Sequence, residues 1–373
     1  TENPLRVPRT LWLTAAWIVA IAVSFAVVRT SGYALRDPDS TLYESISQQL
    51  AKQPLSQWIN PQWPEGRFKT GPFQEHLAVF FWPAAALNAI GFERGALLFN
   101  LLSLAGLCLA LELLVRRAFP KARASGLASA LFLISPWGIQ YALRANHELP
   151  WAAFSIAALA MLFHPRARTA VIGFALFAAA AFLIKGVLAA LLLPLPWVLV
   201  RRKRAVASIM TAVLVIGLVA TVYELLYRRE TGAGFFTAYA GAQLGYIAKH
   251  EGASPLVKAL NLLYYPLAGA WFCLPATVAI ALLAKTKKRI DSRASALLVA
   301  PALWLVPLAL MSRHAVRYAF PPMMLLHVLA AHLISRTKRV VPNAELIAPA
   351  LLVVIVPLRC ALDPLIYRPL NFG

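Results

Sequence analysis

The stretch RDPDSTLYESISQQL, residues 36–50, follows an apolar run that ends near Val28, and it opens with Arg36, Asp37 and Asp39 before turning helical. Its spacing predicts a helix starting at Asp39-Ser40-Thr41. Thr41 and Glu44 stand in capping-box register, and Leu42, Ile46 and Leu50 form an apolar stripe opposite Ser45, Gln48 and Gln49. A helix of that pattern lies in the plane of a membrane surface. Asp39 then occupies its N-terminal end, where the macrodipole favours an anion. Two readings stand: a carboxylate that only caps the helix, and a carboxylate held at the lipid–water boundary that accepts a proton from an acceptor hydroxyl.

Other polar constellations share this setting. WINPQWPEGRFKTGPFQEH carries Trp58, Trp63, Arg67, Lys69, Glu75 and His76 ahead of an apolar segment. The tryptophans suit interface anchoring, and Arg67 and Lys69 suit lipid headgroups. LRANHELP packs Arg144, His147 and Glu148 into a tight turn, and SRHAVRYAFPP does the same with Arg313, His314 and Arg317. Lys185 interrupts a long apolar run. A solvated turn or a snorkelling cation is the plain reading of each. Together they place carboxylates and cations at one depth, where ionisable groups are functional candidates. Forked guanidinium groups and a lysine suit a phosphate, here one carried on a lipid tail. His76, His147 and His314 could hold a metal, but nothing in their spacing fixes such a site, so no cofactor is expected and a divalent metal stays open.

The elements that must position these residues follow from composition. Of 373 residues, 60% are hydrophobic and 14% charged, against about a quarter charged in a globular chain. This is the composition of an all-α polytopic membrane protein. The net charge of +21 is dispersed as short basic clusters between apolar segments, the pattern of inward-facing loops rather than of a nucleic-acid surface. Cys108, Cys273 and Cys360 lie in or beside apolar segments, without zinc or disulfide spacing. Leu11 to Val28 is too long for a secretory signal core and reads as a retained span.

The basic clusters set the topology. Arg6 and Arg9, then Arg116 to Arg123, Arg166 and Arg168, Arg201 to Arg204, Lys285 to Arg289, and Arg336 to Arg339 are placed inside. Parity then lays Phe73 to Phe92 along the outer interface while Gly95 to Val115 crosses. Residues 30–94 thus form a long periplasmic first loop. Ala124 to Tyr141 and Trp151 to Phe163 cross next. Ala170 to Val200 goes out and back with Lys185 at its turn, in legs of about 15 residues, or roughly 23 Å, short of the roughly 30 Å hydrocarbon core. Ala205 to Leu225 leads to a second large loop, residues 226–258, with an interfacial helix near Phe235 to Ala248. Asn261 to Ala284, Ala294 to Met311, Ala319 to Ile334 and Glu345 to Leu362 complete about eleven spans, with the N-terminus inside and the C-terminus outside.

In order along the chain, these segments resemble the GT-C superfamily of integral-membrane glycosyltransferases, particularly the branch of aminoarabinose transferases and protein O-mannosyltransferases. DPDSTLYESISQQL resembles that branch's D-E-x-x-Y-A-E-I-A-R segment, which puts Asp39 at the presumed catalytic acid and Tyr43 at the motif tyrosine. FLIKGVLAALLLPL resembles T-K-G-P-x-G-L-L-L-P, matching Lys185 and Gly186, and RYAFPPMMLLHVLAA is similar to R-Y-x-x-P-x-x-P-x-L-A-L-L, matching Arg317 and Tyr318. Arg144 and Glu148 fall where the family often has an acid before a Pro-Leu pair. The family's Glu-Lys-Pro-Pro run reads Gln74-Glu75-His76-Leu77 here, so its phosphate-contacting lysine is missing and Lys69 or Arg67 is the expected substitute. The chain is expected to be a single transmembrane domain, 1–373, without the C-terminal soluble domain of many relatives.

The resemblance implies a polyprenyl-phosphate-sugar donor, a glycolipid or envelope-glycan acceptor, and inverting displacement at the periplasmic face of a bacterial inner membrane. Asp39 would take the acceptor proton. Lys185, Arg317, Arg144, Lys69 and Arg67 would serve the donor phosphate, and Tyr43, Glu75, His76, Glu148, His314 and Tyr318 would line the substrates. Membrane lipids are the other expected partners, and nucleic acid is not. A flippase for an anionic lipid-linked sugar is the rival; it should place polar residues near the midplane, whereas here they gather on one side. An assembly subunit is a third possibility, and would leave the acids of the outer loop dispensable.

Overall fold

The computed structural model describes residues 9–31, 33, 37–66, 69–122, 126–248, 254–284, 291–310, 316–337 and 344–366. Among these the regular secondary structure is helical, joined by turns and loops, with an isolated antiparallel bridge between Gln62 and Pro72. The helices are α1 (Arg9–Thr30), α2 (Pro38–Ala51), α3 (Trp82–Ala89), α4 (Gly95–Ala118), α5 (Leu127–Leu133), α6 (Pro136–Tyr141), α7 (Glu148–Leu162) and α8 (Ala167–Lys185). There follow α9 (Leu195–Leu199), α10 (Arg202–Thr231), α11 (Phe235–Ala248), α12 (Pro255–Phe272), α13 (Ala276–Ala284), α14 (Ser292–Leu310), α15 (Phe320–Ser335) and α16 (Ala344–Ile366).

Among the described residues, seven helices are long and apolar enough to cross a membrane, or eight if the bent pair α12 and α13 counts as one span. The expected eleven does not match that number, because three expected crossings fall on shorter pieces. Ser135-Pro136 breaks the segment 124–141 into α5 and α6: Pro136 opens α6, and the Ser135 side chain accepts from Gly138 N at 3.1 Å. Helix α7 has only 15 residues, and the return leg after Lys185 is a 3₁₀ stretch, Gly186–Leu192, followed by the short α9. The expected single span from Asn261 to Ala284 is likewise bent by 100° between Leu262–Phe272 and Ala276–Leu283.

Between α2 and α4 the described residues contain only the 3₁₀ turns Leu55–Ile59 and Ala78–Phe80 and the eight-residue α3. At 1.5 Å per residue α3 reaches about 12 Å, well short of a crossing. Burial separates core from rim: 83% of the span containing α15 is buried within the protein, against 17% for α10. Helix α15 is apolar on every side, as a central helix must be, and packs against α4, α5, α7, α13 and α14. Helices α4, α7, α8 and α10 follow one another as packed neighbours, and α1 lies against α16.

The two ends of this bundle differ in chemistry. One cavity is lined together by Arg117 at the end of α4, Leu162 at the end of α7, Ala167 at the start of α8, Val198 to Val200, Arg204 and Arg293. The return leg from Lys185 therefore comes back to the end from which α8 set out, as parity requires. The opposite end holds Asp37, Asp39, Arg144, Glu148, Lys185 and Arg317 in ion-pair contact. In a variant lacking Cys108, Cys273 and Cys360, a cysteine at Ser56 should react with an impermeant thiol reagent in intact cells, and one at Arg168 only after the membrane is opened. Outside labelling at Arg168 would invert the assignment of the two ends.

Candidate active site

Helix α2 begins two residues earlier than its spacing suggests, and this changes what Asp39 does. The cap is Asp37, whose Oδ2 accepts from Ser40 N at 3.0 Å and Ser40 Oγ at 2.9 Å, with Pro38 next in the first turn. Asp39 is thereby relieved of capping and sits in the first turn. Its Oδ2 accepts from Arg317 Nη1 at 2.6 Å and lies 3.9 Å from Arg144 Nη2, and its side chain is about one-third exposed. Glu44 does not close the expected capping box. It is buried and reaches across to α4, accepting from Ala96 N at 3.1 Å and from Asn88 Nδ2 at 3.3 Å, which fixes α2 to the start of α4. Ile46 and Leu50 of the expected stripe are buried, joined by Tyr43 and Ser47.

The second layer is a buried charge cluster. Glu148, at the first position of α7, is fully buried, and Lys185, at the last position of α8, is 5% exposed. Lys185 Nζ donates to Glu148 Oε1 at 3.3 Å and also contacts His147 Nε2. The same carboxylate oxygen lies 2.9 Å from His147 Nε2 and 3.7 Å from Arg317 Nε. Lys185 also lies over the rings of Tyr318, 5.3 Å away, and Trp151, 5.9 Å away. Gly186, at φ +60°, turns the chain away directly after Lys185; a Cβ there would collide with Tyr239 Oη, so α11 seals this turn. Arg144 is held by Asp37, Nη2 to Oδ1 at 3.0 Å.

A hydroxyl–imidazole chain joins the two layers. Tyr43 Oη is hydrogen-bonded to His147 Nδ1 at 3.1 Å and to His76 Nε2 at 3.2 Å. Burial, with the charges of Asp39 and Glu148, holds the Tyr43 hydroxyl well above its ordinary pKa. Burial, then the neighbouring His147 and the Arg317 guanidinium, push His76 well below the ordinary histidine value. Both groups therefore stay neutral around pH 7 and act through hydrogen bonds.

Asp39, Tyr43, His76, Arg144, Glu148, Lys185, Arg317 and Tyr318 thus come together from five separate segments. Lys69 and Glu75 pair with each other nearer the surface, with Lys69 over the Trp63 ring at 5.2 Å. This sets an ammonium group beside the position where the family motif has lysine. Arg67 and His314 lie outside the described residues. No group of three or more His, Cys, Asp or Glu placed to hold a metal occurs among the described residues; His76 and His147 are instead linked through Tyr43. Sequence reasoning left two members out of the site, Asp37 and His147. Asp37 was signalled by the Asp-Pro pair that opens helices, and His147 by its place beside Glu148 at a helix start. Three buried atoms of the cluster have no hydrogen-bond partner among the described residues: Glu148 Oε2, Arg144 Nε and Arg317 Nε.

No protein-family model and no curated protein matches this chain. Solved structures do. A crystal structure of ArnT from Cupriavidus metallidurans bound to undecaprenyl phosphate superposes with a TM-score of 0.66 at 16% identity, covering 88% of this chain and 61% of that one. The apo state of the same protein gives 0.57 at 17% identity, covering 88% and 60%. The chain spans about three-fifths of the length of these structures. At such identity the likeness concerns architecture: this chain has an all-α polytopic membrane fold like that of ArnT.

Proposed function

We propose that the chain is a glycosyltransferase that takes a monosaccharide from a polyprenyl-phosphate donor and transfers it to a glycolipid or cell-envelope acceptor at the periplasmic face of a bacterial inner membrane. The observation that carries this reading is the convergence of Asp39 with Arg317, Arg144 and the buried Lys185–Glu148 pair at the end of the bundle away from the basic loops. The fold likeness to a protein crystallised with undecaprenyl phosphate supports the donor class.

The chemistry is a single displacement. The acceptor hydroxyl oxygen bonds to the anomeric carbon as the bond from that carbon to the phosphate oxygen breaks on the opposite face, and the configuration inverts. The acceptor proton passes to Asp39 Oδ1, the oxygen not occupied by Arg317. The electron pair of the broken bond stays on the lipid phosphate, where Arg317, Arg144 and Lys185 compensate the developing charge. A proton removed late in such a displacement does not require a strongly perturbed base. The carboxylates Glu148 and Asp37 position the cations: Glu148 orients Lys185 and Arg317, and Asp37 orients Arg144. Glu148 Oε2 and the free guanidinium N–H groups are suited to a sugar hydroxyl and a phosphate oxygen. Lys69, brought beside Glu75, is a candidate to supply the cation of the missing motif lysine.

Asp39→Asn should abolish transfer from a purified polyprenyl-phosphate sugar while the protein stays folded, because Asp37 makes the cap. Activity within about threefold of the parent, a barrier change below about 0.7 kcal/mol, would remove Asp39 from the mechanism.

Lys185→Met should do two things. It should destabilise the ligand-free protein, since breaking a buried pair costs about 3–5 kcal/mol, and the added change Glu148→Gln should recover part of that loss. It should also shrink the rise in melting temperature produced by undecaprenyl phosphate. An undiminished rise would assign the phosphate to Arg317 and Arg144 alone.

A further inference from the structure

The opposite end of the bundle contains a second feature that the transfer reaction does not use. A cavity of about 910 Å³ is lined by Arg117, Arg201, Lys203, Arg204 and Arg293, and no Asp or Glu lines it. Among the described residues none of these cations is paired with a carboxylate. Three of them have a local role: Arg117 Nη1 donates to Ala160 O at 3.3 Å, Arg204 Nη1 to Leu162 O and His164 O at 3.2 Å each, and Arg293 Nη1 to Ala118 O at 2.9 Å. These bonds satisfy the last carbonyls of α7 and α4 and hold the guanidinium groups at the cavity without neutralising them. Arg201 and Lys203 add uncompensated charge. The backbone has the same sign, since α8 and α10 both start here, neither has a side-chain cap or an acid in its first turn, and their free N–H groups attract anions.

The remaining wall is apolar, with Phe163, Val171 and Leu199 among its residues. Beyond it, Ile172 and Leu176 of α8 and Val206, Met210 and Val213 of α10 are exposed along the two helices that frame the cavity, and Trp197 is exposed nearby. An exposed tryptophan beside a cationic recess marks the headgroup level of a membrane. A ligand that fits has an anionic head and an apolar tail.

We propose that this cavity binds the phosphate headgroup of an anionic phospholipid of the leaflet that faces the basic loops, with the acyl chains along α8 and α10. The volume is within the range of small-molecule sites, about 300–1,000 Å³. Helices α7 and α8 each run from this cavity to the transfer site, ending there at Glu148 and Lys185, so the lipid braces the two helices that carry the buried ion pair. The inference stands on the cavity alone and holds whatever reaction occurs at the other end.

The test uses the purified full chain in neutral detergent, with bound lipid counted by native mass spectrometry and stability read as melting temperature. Phosphatidylglycerol should bind at least tenfold more tightly than phosphatidylcholine and raise the melting temperature. Arg201→Gln with Lys203→Gln should weaken phosphatidylglycerol at least fivefold without lowering the lipid-free melting temperature, because neither side chain bonds within the described protein. Arg229→Gln, at the far end of α10, should leave binding unchanged. Equal binding of the two lipids, full retention in the double variant, or an equal loss in Arg229→Gln would overturn the proposal. Stabilisation by inorganic phosphate at the same concentrations would also overturn it, by showing a soluble-anion site in place of a lipid site.

Discussion

Glu148 is a carboxylate with no exposure to solvent in a chain made mostly of apolar side chains. A buried charge is tolerated only where opposite charge and hydrogen bonds surround it, and meeting that condition organises this end of the bundle. Lys185 must reach it from the last turn of α8, which requires α8 to stop there and Gly186 to turn the chain back. Arg317 must reach it from the short turn before α15, and His147 from the preceding residue. Through His147 the requirement extends to Tyr43 and so to α2, and through Arg317 to Asp39. Elements distant in sequence thus share one electrostatic centre.

The result is a division of labour between the ends. At the basic end, cations finish helices and lie open to anions, without carboxylates around the cavity. At the other end each of the three cations of the cluster has a carboxylate partner: Arg144 with Asp37, Lys185 with Glu148, and Arg317 with Asp39 and Glu148. A cluster balanced in this way holds its cations in fixed positions before substrate arrives, which is the arrangement that charge stabilisation of a departing phosphate requires. It also leaves Asp39, the most exposed of the three carboxylates, on the solvent side of Arg317 with one oxygen uncommitted.

Much of this was legible in the sequence, for a physical reason: in an apolar chain an ionisable residue is conspicuous, so Asp39, Arg144, Glu148, Lys185 and Arg317 could be picked out by type and setting. The turn at Lys185 followed from the parity of the basic clusters, and the second-loop helix Phe235–Ala248 from its own pattern. The pairing could not be read, because it depends on distances between segments far apart in the chain: that Lys185 faces Glu148, that Tyr43 links His76 and His147, and that Glu44 reaches α4. The assignment of the cap to Asp39 was wrong by two residues, since Asp, Ser and Thr crowd together there and only backbone geometry shows that Asp37 bonds Ser40 N. Hydrophobicity was silent about continuity, so the expected segments are broken at Pro136, in the 3₁₀ leg after Gly186 and at the bend between α12 and α13.

The central claim is that the Glu148-centred cluster receives the phosphate of a polyprenyl donor. Photo-crosslinking tests it most directly, using undecaprenyl phosphate with a photoreactive group on the isoprenoid unit next to the phosphate, bound to the intact protein and mapped by peptide mass spectrometry. Crosslinks are expected in the segments that carry Asp39 and Tyr43, Glu148, Lys185 and Tyr318, competed away by unlabelled undecaprenyl phosphate. Crosslinks confined to the basic end, around Phe163, Val171 and Leu199, would contradict it.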